Sequence, residues 1–193
     1  MEVNVQHRPS YALAVAQLDP NEPIQVEAGS MVGMSAGVAV ETKARGGLLK
    51  SLARSMLGGE SFFINTYRAS SRGGRVLLAP ALPGDIVVRQ LEQETLLVQS
   101  GSYVASSEGV DVSTGWGGAK TFFAREGLIL LRISGAGTLV LSSYGAIEEM
   151  ELAESETFTV DTGHLVAFSD RLGFDVRRVG GLKSTLFSGE GLV

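Results

Sequence analysis

Three short stretches of this 193-residue chain have the composition of an anion cradle: RGGLLKS at 45–51, WGGAKT at 116–121 and VGGLKS at 179–184. Each sets a glycine pair, a lysine and a hydroxyl residue ahead of a short apolar run. Bare backbone N–H groups beside an ammonium group can hold a phosphate or a carboxylate. The candidate binding residues are Lys43, Arg45, Lys50, Arg54, Lys120 and Lys183. None of the three stretches has the G-x-x-x-x-G-K-[ST] spacing of a P-loop, and no strand, loop and long helix surround them. A cradle in triplicate also has a plainer reading as a turn in triplicate. Each stretch is followed by a glutamate, Glu60, Glu126 or Glu190. A structural lysine–glutamate pair is therefore the leading reading of these lysines, with anion binding as its rival.

Other chemistry is sparse. The chain has no cysteine and two histidines, His7 near the N-terminus and His164. That removes disulfides, thiolate zinc sites and cysteine nucleophiles together, and it makes the cytoplasm the expected compartment. A Ser-His-Asp site would have to be built on His164, and no G-x-S-x-G elbow accompanies it. One usable histidine with scattered carboxylates is a poor supply for a metal centre, and Glu148, Glu149 and Glu151 read as an acidic turn. The chain is read as non-enzymatic, with no cofactor and no metal. Its net charge of -5 argues against nucleic acid as a partner. The one basic patch, residues 41–75, has seven basic residues against Glu41 and Glu60, with Phe62, Phe63 and Tyr67 nearby. An RNA-binding role is the lesser alternative that this patch leaves open.

The elements that must position these residues are written three times. VEAGSMVGM at 26–34, VQSGSYVAS at 98–106 and VDTGHLVAF at 160–168 share V-x-x-G-x-x-V, anchored on Gly29, Gly101 and Gly163. Downstream come a second glycine, an alternating triplet (VAV, VDV, FDV), the glycine pairs that include Gly47, Gly118 and Gly181, and then the glutamates. Units that repeat in this way must pack on one another to close a core. The expected fold is all-β, a single domain over 1–193 of three antiparallel β-sandwich units with pseudo-threefold symmetry. The unit limits fall near 10–80, 81–145 and 146–193. The last unit is incomplete, lacking a final hairpin of roughly 20 residues if the pattern holds, and a longer natural chain is the expectation.

Period-two alternation predicts the strands: Tyr11, Leu13 and Val15; Ile24 and Val26; Ile86 and Val88; Leu96 and Val98; Leu139 and Leu141; Phe158 and Val160; Phe174 and Val176. Turn signals at 19–23, 72–75, 80–85 and the SGAG of 134–137 separate them. Residues 47–57 break the pattern. Leu48, Leu49, Leu52 and Met56 lie at helical spacing with Lys50 and Arg54 on another face, so a short amphipathic helix is predicted there. It is expected to lie on its own sheet, with an anionic membrane surface or a protein partner as alternatives. No run approaches the length of a spanning helix, and the N-terminus has no targeting pattern. The acidic run from Glu148 to Asp161 against the basic 41–75 patch gives a polarity that could pair copies of the chain. A homo-oligomer, a trimer or a multiple of one, is the expected state.

The stretches ETKARGGLLKSLARSMLGGESFF, WGGAKTFFAREGL, LSSYGAIEEMEL and GGLKSTLFSGEGLV resemble bacterial members of the altered-inheritance-of-mitochondria family of uncharacterised proteins. The resemblance covers nearly the whole chain. It implies a fold like that of the tryptophan RNA-binding attenuation protein, pseudo-threefold and often further oligomerised. It supplies no catalytic residues.

Overall fold

Alternating side chains make strands only where a neighbouring strand takes up the backbone N–H and C=O groups, and the ladders determine where that happens. The computed structural model describes residues 1–41, 62–113 and 129–177. Its strands in chain order are β1 (Glu2–Gln6), β2 (Leu13–Leu18), β3 (Pro23–Glu27), β4 (Met31–Met34), β5 (Ala39–Glu41), β6 (Ile64–Arg68), β7 (Gly74–Leu78), β8 (Ile86–Gln99), β9 (Tyr103–Ser107), β10 (Val110–Ser113), β11 (Leu130–Ser142) and β12 (Ala167–Ser169). One sheet has the order β1-β2-β7-β4, and the larger runs β12-β8-β11-β9-β3-β6-β5 with β10 also on β11. Every ladder between named strands is antiparallel. Helical structure among the described residues is limited to 3-10 turns at Ser100–Ser102 and Thr162–His164. The fold is all-β, antiparallel and one domain.

Several ladders within residues 23–78 match, in register, ladders within residues 96–141. Ile24 faces Tyr67 and Val26 faces Asn65, as Leu96 faces Ile133 and Val98 faces Leu131. Val40 faces Tyr67, as Val112 faces Ile133. Met31, Gly33 and Met34 meet Leu78, Leu77 and Val76 around a bulge at Val32, as Tyr103, Ala105 and Ser106 meet Leu141, Val140 and Leu139 around one at Val104. A bulge repeated at the same place is a built feature of the strand.

Two apolar clusters form the core. In the first, Ala14, Ala16, Leu18, Val76 and Leu78 of the small sheet meet Ile24, Val26, Ile86, Val104 and Val140 of the large one. The second lies within the large sheet around Leu96, Val98, Tyr103, Leu131, Ile133 and Leu139. Each Leu or Ile removed from water here contributes about 1.5–3 kcal/mol.

Three sequence expectations are corrected. SGAG at 134–137 is not a turn between strands but a bulge inside β11, where the register skips from Ser134 to Ala136. Gly135, with φ +110, lies so close to β10 that an added Cβ would sit 2.4 Å from the Gly109 carbonyl oxygen. In β2 the buried face belongs to Ala12, Ala14, Ala16 and Leu18, while Tyr11 is exposed and precedes the strand. β1 pairs with β2 along its length. Finally, Phe158–Val160 and Phe174–Val176 form no strand. Their counterparts in the first two repeats lie against β6 and β11, and among the described residues no strand stands in that place for the third. The helix expected at 47–57 lies outside the described residues.

Candidate functional site

The first two V-x-x-G-x-x-V motifs end strands β3 and β8 in turns, the third turns just ahead of β12, and the three turns line one cleft of about 1560 Å³. Glu27 and Ser30 come from the turn of Gly29, Gln99 and Ser102 from that of Gly101, and Thr162 and His164 from that of Gly163. Gly29 has φ +99, a conformation that suits glycine, whereas the second and third motifs turn through 3-10 geometry. The second motif position accepts a hydrogen bond in every copy. Ser30 Oγ donates to Glu27 Oε2 at 2.8 Å and Ser102 Oγ to Gln99 Oε1 at 3.3 Å. In the third copy the shorter Asp161 accepts from the Gly163 amide at 2.8 Å, and an exposed histidine replaces the serine.

Tyr103 is a wall of the cleft and no acid. It is 1% exposed, its hydroxyl meets Ser106 Oγ at 2.9 Å and the Gln25 carbonyl at 3.4 Å, and its ring lies edge-on to Phe62 at 5.5 Å. Burial pushes its phenol well above the usual range, so it stays neutral. Glu27 is half-buried, with no ion-pair partner among the described residues. Burial raises its carboxyl above the ordinary value, and the Ser30 hydroxyl offsets this only in part. The two motif serines, Ser30 and Ser102, donate within their own turns, and no group of three histidine, aspartate or glutamate residues among the described residues could hold a metal. The arrangement offers hydrogen bonds and apolar surface.

Of the three motif glycines, Gly101 and Gly163 line the cleft, and Gly29 lies between its lining residues Glu27 and Ser30. The tentative binding residues Lys43, Arg45, Lys50, Arg54, Lys120 and Lys183 lie outside the described residues. So do Gly47, Gly118, Gly181, Glu60, Glu126 and Glu190, and with them the expected lysine–glutamate pairing. Sequence reasoning passed over Glu27, Gln99 and Asp161. A signal was available: the residue after the first motif valine bears a side-chain oxygen in all three copies.

The profile of the family described as mitochondrial biogenesis AIM24 matches residues 3–193. This chain belongs to the AIM24 family. Over its full length it is 29% identical to an uncharacterised protein of Streptococcus pyogenes serotype M6, 80% of which is covered. An X-ray structure of a Streptococcus pyogenes protein from the Northeast Structural Genomics Consortium superposes with a TM-score of 0.79 and 28% identity, over 99% of this chain and 86% of that one. No helix among the described residues of this AIM24-family chain is long and apolar enough to cross a membrane.

Glu27 gives a pH-dependent prediction. A carboxyl whose folded value is raised stabilises the fold below its unfolded value, and that contribution is lost as pH rises through the folded value. Glu27→Gln keeps an acceptor for Ser30 and removes the titration. The variant is expected to be more stable than the parent at pH 7, by under about 1 kcal/mol because the group is only half-buried. The gain should shrink toward pH 4, and urea melts at the two pH values would read it.

Proposed function

We propose that this AIM24-family protein is a non-enzymatic β scaffold. Three sandwich-like antiparallel repeats surround a pseudo-threefold axis, as in the tryptophan RNA-binding attenuation protein. It works as a homo-oligomer, a trimer or a multiple of one, and holds a partner through its glycine-rich loops. The convergence of three motif turns on one cleft carries this reading, since equivalent turns meet in that way around an axis. Support also comes from the link between successive repeats. Val26 of the first pairs with Ala105 of the second, and Val98 of the second with Ala167 of the third. Both are the same motif positions. The elements that repeat are valines, glycines and turn acceptors, which build ladders. Large exposed apolar side chains, Tyr11, Leu82, Tyr144 and Met150 among them, provide surface that association would cover.

Light scattering combined with native mass spectrometry of the full chain tests the assembly. Three copies or a multiple is the expected mass. A monomer at every concentration up to about 100 μM would remove the oligomer from this reading.

A further inference from the structure

β4 has an open edge. It pairs with β7 on one side, no strand among the described residues lies on the other, and its Val32 and Met34 are 60% and 42% exposed. An unpaired row of N–H and C=O groups beside exposed apolar side chains invites another strand. The equivalent strands of the other repeats are each taken up by the preceding repeat. β9 lies on β3 with Val26 opposite Ala105 and Gln25 opposite Ser106, and β12 lies on β8 with Val98 opposite Ala167 and Leu97 opposite Phe168.

Carrying the register one step further leaves one partner for β4. Gly33 and Met34 occupy the positions of Ala105 and Ser106, and Val160 and Thr159 those of Val26 and Gln25. We propose that the open edge of β4 is the docking site for residues 158–160 of the same chain, paired antiparallel with Gly33 opposite Val160 and Met34 opposite Thr159. The pairing rests on the pseudo-threefold reading above.

Three observations favour this occupant. Ser30, the residue just before β4, and Thr157 to Val160 line the same cleft. Residues 158–160 have a strand-like pattern without a strand, and Phe158 is 52% exposed. The residue opposite the motif valine is small in every copy: Ala105, Ala167 and here Gly33. A side chain added at Gly33 would meet nothing within 4 Å, so the sheet face above it is uncovered. A tether within one chain also supplies a local concentration that a second molecule at micromolar levels does not match.

The chain lacks cysteine, so an engineered pair is its sole source of disulfide. Full-length Met34→Cys/Thr159→Cys is oxidised at low micromolar concentration and the products are resolved by non-reducing gel and peptide mass spectrometry. An intrachain disulfide is expected, forming about tenfold faster than in Met34→Cys/Phe158→Cys, whose partner lies one residue out of register on the opposite face. Equal rates would overturn the register. A disulfide that forms only between chains would assign the edge to a second copy and overturn the occupant proposed. Amide exchange on the unsubstituted chain gives a readout independent of either variant: protection of residues 158–160 by about a hundredfold is expected, and exchange at the free-peptide rate would overturn the pairing. The outcome is distinguishable from that of the assembly, since a monomer with the intrachain disulfide removes the oligomer and keeps the ladder.

Discussion

Gly84→Ala is expected to destabilise the fold by about 3 kcal/mol or more, through loss of main-chain hydrogen bonds that no side chain can replace. A Cβ at this position would lie 1.7 Å from the Ser143 carbonyl oxygen and 3.0 Å from the Gly145 nitrogen, both backbone atoms that cannot rotate away. Residues 143–145 would have to move. They are held by Asp85 N donating to the Gly145 carbonyl at 2.9 Å and Ser143 N donating to the Asp85 carbonyl at 3.1 Å. The Gly84 carbonyl itself accepts from Ala12 N at 3.1 Å. Immediately beyond this joint Ile86 pairs with Ser142, the first rung of the long β8–β11 ladder. Gly145→Ala provides the comparison. Gly145 has φ +84 but open space around it, so its substitution should cost only about 1 kcal/mol, from the left-handed backbone. Urea unfolding of the two variants reads the difference. If Gly84→Ala unfolds at the parent's urea midpoint, the close approach of these chains does not hold in solution.

The strands that could be read in advance were those whose alternation is large against small or polar. Ile24 and Val26, Leu96 and Val98, and Leu139 and Leu141 are buried on strands as their spacing implied. β2 shows where that signal inverts. Leu13 and Val15 are larger and more apolar than Ala12, Ala14 and Ala16, yet the alanines belong to the buried cluster that the two sheets share. SGAG misled for a different reason. Glycines that permit a turn also permit a bulge, and only the neighbouring β10 backbone decides between them. Of the cleft, the motif glycines were legible and their convergence was not, since nothing local in three separate turns says that they share a wall. The expected strands of the third repeat failed because alternation reports what a segment can bury, while pairing depends on what lies beside it.

Removing Arg8 should destabilise the fold by about 2 kcal/mol at pH 7, and the loss should fade in acid. Arg8, just past β1, reaches the carboxylate of Asp85 with Nε on Oδ1 and Nη2 on Oδ2, both at 2.7 Å. Asp85 is 3% exposed and also accepts from the Ile86 amide at 2.8 Å. Without Arg8 a buried carboxylate would be left with one backbone donor. Loss of one partner from a fully buried pair costs about 3–5 kcal/mol, and the half-exposed Arg8 side chain calls for a smaller figure because water screens its charge. The Arg8 guanidinium holds the Asp85 carboxyl below its ordinary value, with burial opposing it and the Ile86 amide assisting. A depressed carboxyl stabilises the fold above its unfolded value, and that contribution is lost as pH falls through the folded value. The gap between parent and Arg8→Ala should therefore be widest at neutral pH and close once Asp85 is protonated in both. Arg8→Lys should fall between them, because a single ammonium cannot bind both carboxylate oxygens at once. Asp85→Asn combined with Arg8→Ala should lose less than the two single losses added together, by about 1 kcal/mol or more, since each single change orphans the other's partner. Were the Arg8→Ala loss the same at pH 7 and at pH 2.5, packing of the arginine stem and not its charge would be what ties the N-terminal strand to the start of β8.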